Sequence, residues 1–250
     1  KKRSFIVQIG KELKKYKKNA KMNPTHLGDI ESKRAANFIY SSLSLEGSPL
    51  TLPETQRLIL EHMTNSENAD SVQEALNYSK AIAQMRINAN KKTKLDKDLI
   101  LQYHYLTMFH KAFAGQIRKE NVFIKKNPQF KTANWKEIEP KLEKLLKEYN
   151  EFESKKRATE EIIRFASYFH NEFQRIHPFI DGNSRISRLV MLHMLRMHSL
   201  PILDLPIGYF DRYLQLTKKS QRRDDESFFY FLQELVLMNL KRLNAMILQE

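Results

Sequence analysis

The chain has 250 residues, 41% of them hydrophobic, which is enough for one sizeable core. It contains no cysteine, which excludes disulfides and thiolate metal sites and fits a reducing, cytoplasmic setting. No apolar run is long enough for a helical membrane span, and 43 Lys and Arg against 29 Asp and Glu give a charge of +14, a field that favours anionic partners such as nucleotides or nucleic acid.

The first element is basic. KELKKYKKNAK, residues 11–21, sets lysines around most of a helix, with Tyr16 the one aromatic among them. It reads as a solvated extension over residues 1–29; a nucleic-acid patch is the alternative, weakened by the lack of interleaved aromatic residues. Beyond it glycine is rare and apolar residues recur at three and four, so the fold is expected to be mostly α. SKRAANFIYSSLSLEG ends on Gly47, a helix stop. LPETQRLILEHM carries a proline suited to a first helical turn. SVQEALNYSKAIAQMRI and DKDLILQYHYLTMFHKAF read as amphipathic helices.

GQIRKENVFI, residues 115–124, departs from this pattern. Two short β-favouring pieces flank Lys119, Glu120 and Asn121, and the spacing predicts a small surface β-hairpin. A polar connection follows until a helix near Trp135. ATEEIIRFASYFHNEFQRI is helical again, and DESFFYFLQELVLMNLKRLNAMIL closes the chain as its most apolar helix, suited to core packing or to a homodimer contact.

Between the last two of these lies HPFIDGNSRISR, residues 177–188. It joins one long helix to the next, so its loop feeds a helix N-terminus with unpaired N–H groups and a positive dipole end. Such a place binds phosphate. Gly182 allows a tight turn and close approach to a ligand. Arg185 and Arg188, three apart, share a helix face and suit a polyphosphate. Asp181 can offer a hard oxygen to Mg²⁺, and Asn183 can donate to a phosphoryl oxygen. His177 is the group that can take a proton near neutral pH. Phe179 reads as an anchor in the core. Taken singly, each of these is an ordinary turn residue; their order within one loop points to a phosphate-handling site. His170, His193 and His198 show no zinc-ligand spacing, and Met191, Met194 and Met197 form a stripe typical of a core.

The stretch resembles the Fic family motif, H-x-F-x-D/E-G-N-G-R-x-x-R. It matches at His177, Phe179, Asp181, Gly182, Asn183, Arg185 and Arg188, and departs at Ser184, where the family usually has glycine. The resemblance implies a Fic-type helical bundle over roughly residues 30–220, with residues 221–250 as a further helix packed on it. It implies AMP transfer from ATP to a Ser, Thr or Tyr hydroxyl of a target protein, or of the chain itself, with Mg²⁺ and release of pyrophosphate. His177 would then be the base, Asp181 the metal ligand, and Gly182, Asn183, Ser184, Arg185 and Arg188 the phosphate-binding set. The 115–124 segment resembles the family's target-docking flap, through Gly115, Gln116, Ile117, Arg118, Val122, Phe123 and Ile124, where an extended peptide would add as a strand. SLSLEG, residues 42–47, resembles the family's inhibitory motif: Ser42 and Glu46 share a face within a helix over 31–47, and Glu46 would compete with a phosphate for Arg188.

Ser184 carries an expectation of its own. If the backbone there were left-handed, serine would cost on the order of 1 kcal/mol over glycine. Other readings of the same site are transfer of another nucleotide or phosphate-containing group, or removal of AMP. A reading from another class is a basic nucleic-acid-binding module with a degenerate site.

Overall fold

A computed structural model describes residues 2–248. The described residues form ten α-helices and no strand: α1 (Lys2–Met22), α2 (Pro24–Ser44), α3 (Leu52–Glu61), α4 (Ala69–Asn90), α5 (Lys97–Thr107), α6 (Ile138–Glu153), α7 (Thr159–Ile176), α8 (Asn183–Met197), α9 (Phe210–Leu216) and α10 (Asp225–Ile247). The mostly α expectation holds. None of these helices is long and apolar enough to cross a membrane.

Local chemistry sets the boundaries. Asp96, Asn68 and Asp224 cap α5, α4 and α10 by accepting backbone N–H groups of Leu99, Ser71 and Ser227. Thr51 does the same for α3, whose proline lies in the first turn. Gly47 takes φ 90 and lets the chain leave α2.

The centre of the bundle is α8. Nearly every residue from Asn183 to Met197 is buried, between α7 on one side and α4 on another. This explains the Met191, Met194 and Met197 stripe, which is core. The buried histidines are satisfied polar groups: His193 meets the Tyr103 hydroxyl and the Thr93 carbonyl, and His170 meets Tyr213 and Asn171. The apolar helix α10 packs on α7 and α1 and completes the core. The basic segment lies in α1, whose Ile9, Leu13 and Tyr16 are buried while the lysines within residues 11–21 stay exposed. The Tyr16 hydroxyl donates to Glu31 at 3.0 Å, so the ring is not a platform for stacked bases.

The segment 115–124 differs from expectation. It is an irregular loop with no paired strands. The N–H of Arg118 donates to the Pro178 carbonyl at 3.0 Å, and the Arg118 guanidinium holds four further carbonyls. Arg118 therefore ties the segment to the motif loop, the end of α7 and the later connection rather than across a ladder.

Candidate active site

Two left-handed residues shape the motif loop. His177 ends α7 with φ 52, and Gly182 begins α8 with φ 87. Between them the chain reverses, and the Phe179 ring is fully buried, as the sequence suggested. The Asn183 side chain fastens the turn. Its Oδ1 accepts the Phe179 N–H at 2.9 Å and its Nδ2 donates to the Phe179 carbonyl at 2.8 Å. Asn183 thus fixes the shape of the loop, and it also lines the cleft around it. Ser184 lies in the first turn of α8 with a helical backbone. The left-handed strain considered for it falls on Gly182 instead. A Cβ at Gly182 would lie 3.0 Å from Met108 Sδ and 3.3 Å from His104 Nε2. Gly182→Ala should therefore lower stability by about 1–2 kcal/mol, read as a lower urea midpoint with unchanged slope.

His104, on α5, was not singled out from sequence. It is fully buried and stacks on Phe179 with centroids 3.7 Å apart. The Gly115 N–H donates to its Nδ1 at 2.9 Å, so the ring proton sits on Nε2 and is donated to the Asp181 carbonyl at 2.8 Å. Burial holds its pKa down at about 4, so the ring is neutral and this tautomer is stable. One imidazole thus joins the start of the 115–124 segment to the residue before Gly182.

Around the loop opens a cleft of about 380 Å³, lined among others by His177, Asp181, Gly182, Asn183, Ser184, Glu46 and Lys218. Val122, Phe123, Ile124 and Ile180 form its apolar lip, with Phe123 83% exposed. Gly115, Gln116 and Ile117 lie away from it. The first turn of α8 faces the cleft with no side-chain cap, so its N–H groups are available to an anion. Burial pushes the His177 imidazole down to about 4; Arg118 and Arg223 act with burial, while the Gln174 carbonyl and Asp181 oppose it. At neutral pH His177 is uncharged and free to accept a proton. The Asp181 side chain is 59% exposed, and its Oδ1 accepts from the Gly182 N–H at 2.7 Å and from Arg185 at 3.4 Å.

Arg188 points away from the cleft and is buried. Its Nε donates to the Ser42 hydroxyl, its Nη2 to the Ser42 carbonyl and to Glu46 Oε1 at 2.8 Å, and its Nη1 to Tyr213. The Ser42 hydroxyl in turn donates to Tyr78, which donates to the Arg185 carbonyl. The other Glu46 oxygen accepts from Lys218 at 2.7 Å. Burial alone would raise the Glu46 pKa, but Arg188 and Lys218 outweigh it and hold the carboxyl at about 2. Arg185 and Arg188 are therefore covered, and the groups that face the cleft from that side are Glu46 and Lys218. Lys218 sits in LTKKSQRRDD, a plain basic turn that offers no motif to read.

Arg118 is the remaining surprise. It is 2% exposed, and the fork donates to the carbonyls of His177 at 2.7 Å, Glu120 at 2.8 Å, Ala133 at 2.6 Å and Ile176 at 3.3 Å. It ties the 115–124 segment, the following connection and the C-terminal end of α7 together, where the helix dipole favours a cation. Arg118→Gln should cost about 3 kcal/mol, because buried carbonyls lose their donors. Loss of the cation beside His177 should also move the acid limb of activity to higher pH. Arg118→Lys should restore the limb while recovering only part of the stability.

Comparisons with known proteins meet this geometry. The Fic/DOC family model matches residues 94–195. Residues 94–195 are thus similar to a Fic/DOC family domain. Curated relatives include the protein adenylyltransferases Fic of Drosophila persimilis, 27% identical over 80% of this chain and 39% of that protein, and of Drosophila melanogaster, 27% identical over 80% and 41%. The chain thus spans about two fifths of the length of the curated relatives it matches. Among solved structures, a Fic domain containing signaling protein from Bacteroides thetaiotaomicron superposes with TM-score 0.84 at 20% identity, covering 96% of both chains. Fic-1 from C. elegans superposes with TM-score 0.79 at 17% identity, covering 98% of this chain and 72% of that one. These superpositions establish the shared helical fold. The matched Fic domain runs from just before α5 to near the end of α8, so Glu46 and Lys218 reach the cleft from outside it.

Proposed function

We propose that this chain is a self-inhibited protein adenylyltransferase. It moves AMP from ATP to a Ser, Thr or Tyr hydroxyl of a target protein and releases pyrophosphate. The observation that carries the reading is the convergence of a neutral imidazole, an exposed carboxylate and an uncapped helix N-terminus on one cleft, with a carboxylate from α2's end holding Arg188.

The target hydroxyl enters over the apolar lip, and its oxygen attacks the α-phosphorus. The bond from that phosphorus to the bridging oxygen breaks, and pyrophosphate leaves. His177 takes the hydroxyl proton on the ring nitrogen not engaged with Gln174. The first N–H groups of α8 face the charge that develops on the phosphoryl oxygens. The donor set fits Mg²⁺: a single exposed hard carboxylate, Asp181, with no cluster of three or more acidic or histidine ligands among the described residues, is the protein share expected when phosphates supply the rest. Bound there, Mg²⁺ would offset phosphate charge. Of the 115–124 loop, Val122, Phe123 and Ile124 lie at the lip, where an extended target peptide could pair with their backbone groups.

Self-inhibition follows from charge. Glu46 occupies the guanidinium of Arg188 and the ammonium of Lys218, and a terminal phosphate would have to displace it. Label from α-labelled ATP should appear on protein, while γ-labelled ATP should leave none. The reverse pattern would sink AMP transfer in favour of phosphoryl transfer.

A further inference from the structure

We infer that Lys218 is a binding residue for the terminal phosphates of the nucleotide, kept out of use by Glu46. The inference rests on the self-inhibited nucleotide site proposed above and assigns it a cation that the motif does not contain.

The geometry begins with Glu46. Each of its carboxylate oxygens meets a different cation, Arg188 at 2.8 Å and Lys218 at 2.7 Å. The two come from different helical units, Arg188 from α8 and Lys218 from the turn after α9. Lys218 Nζ also donates to the Leu45 carbonyl at 2.8 Å, one residue before Glu46. Its side chain is about one third exposed, and it lines the same cleft as His177, Asp181 and Ser184. Arg188, by contrast, lies behind Glu46 with 1% of its side chain exposed.

Counting charge around Glu46 shows what its departure leaves. Arg185, Arg188 and Lys218 all act on Glu46. The cleft itself is lined by Glu46 and Asp181 as carboxylates and by Lys125, Lys126, Lys218 and Arg223 as cations. Without Glu46, Asp181 is the one carboxylate left among these lining residues, in a half-buried pocket at the N-terminal end of α8. Like charges that close destabilise one another, and the pocket then calls for an anion with several charges. Burial and the neighbouring guanidinium groups already press Lys218 toward its neutral form, and Glu46 keeps it charged. A polyphosphate carries the charge to replace Glu46 on both cations at once. Lysine suits this place: its ammonium is a point charge on a flexible stem, able to swing from a carboxylate to a phosphate without the fixed fork that Arg188 needs.

Glu46 is then more than a competitor for one arginine. It masks a two-cation clamp, and its removal exposes both halves. A residue that only braces Glu46 would have no effect once Glu46 is gone, and this separates the two roles.

The test is a calorimetric titration of ATP with Mg²⁺, and of AMP, into variants made silent by His177→Ala. Glu46→Gly in that background should tighten ATP binding. Adding Lys218→Met should then weaken ATP about tenfold, which corresponds to about 1.4 kcal/mol. AMP binding should change little, and Lys218→Arg should recover most of the ATP loss. An unchanged ATP affinity after Lys218→Met in the Glu46→Gly background would leave Lys218 as a brace for Glu46 and overturn the inference. Equal losses for ATP and AMP would overturn the terminal-phosphate assignment. If Glu46→Gly itself fails to tighten ATP, the self-inhibition reading fails. In that case a Lys218→Met loss of ATP affinity in the Glu46 chain still supports the lysine, and its absence removes it.

Discussion

Glu46→Gly should turn a chain that labels weakly with α-labelled ATP into one that labels strongly. The size follows from what Glu46 holds. Hydrogen bonds to charged groups contribute about 1.5–3 kcal/mol, so freeing Arg188 should raise nucleotide affinity about 10- to 150-fold. Glu46→Gln should fall between, because it keeps the shape and loses the charge. Acid does not imitate the substitution. The Glu46 carboxyl is held at about 2, against an ordinary value of 4.5. Its ion pairs are therefore fully formed above that ordinary value and are lost only as pH falls toward 2. Labelling of the unaltered chain should stay low from neutral pH down through mild acid. The backbone also tolerates glycine here, since α2 ends at Ser44 and residue 46 lies in the turn beyond. A Glu46→Gly protein with native stability and wild-type ATP affinity would contradict the latch.

His177→Ala in the Glu46→Gly chain should lower the rate by about 10²–10⁴-fold, the usual worth of a positioned base. Nucleotide affinity should be nearly kept, because phosphate contacts belong to other groups. The pH dependence carries a sign. The ring's pKa is depressed from 6.5 to about 4, so the base is available throughout the neutral range. Activity of Glu46→Gly should be flat down to about pH 5 and fall as pH passes through 4. The same shift bears on stability. Between 6.5 and 4 the unfolded chain takes up a proton that the folded chain refuses, so the folded state loses stability there. His177→Ala should remove that part of the acid sensitivity, visible as a flatter unfolding free energy over this range. An acid limb that stays near pH 6.5 would show that His177 is solvated in the working enzyme.

Much of the fold was legible because it is local. Periods of three and four, the proline of a first helical turn at residue 53, and Gly47 as a stop mark helices that the structure contains. The motif loop was legible for the same reason: its residues lie together in the chain. The 115–124 segment was misread because β-favouring composition says nothing about where backbone hydrogen bonds go, and Arg118 takes them to the motif loop. The bracing of the turn by Asn183 was not legible, because its partner, the Phe179 backbone, is seen only once the turn closes. The strain weighed for Ser184 belongs to Gly182 two residues earlier, a register that depends on where α8 starts. Lys218 and His104 reach the site from residues far from the motif and carry no pattern of their own; only the three-dimensional approach reveals them.

Arg118 has a consequence for how the site tolerates its surroundings. A buried cation usually answers to a carboxylate, and such a joint loosens when the carboxylate protonates. Every acceptor around the Arg118 fork is a backbone carbonyl, and none of these titrates. Mobile ions have little access to a group so enclosed. The seam between the 115–124 loop and His177 is thus indifferent to acid and to salt, for as long as the chain is folded. Changes of medium can alter the charge on His177 and Asp181, while the distance between the cleft's apolar lip and the imidazole stays as the backbone sets it.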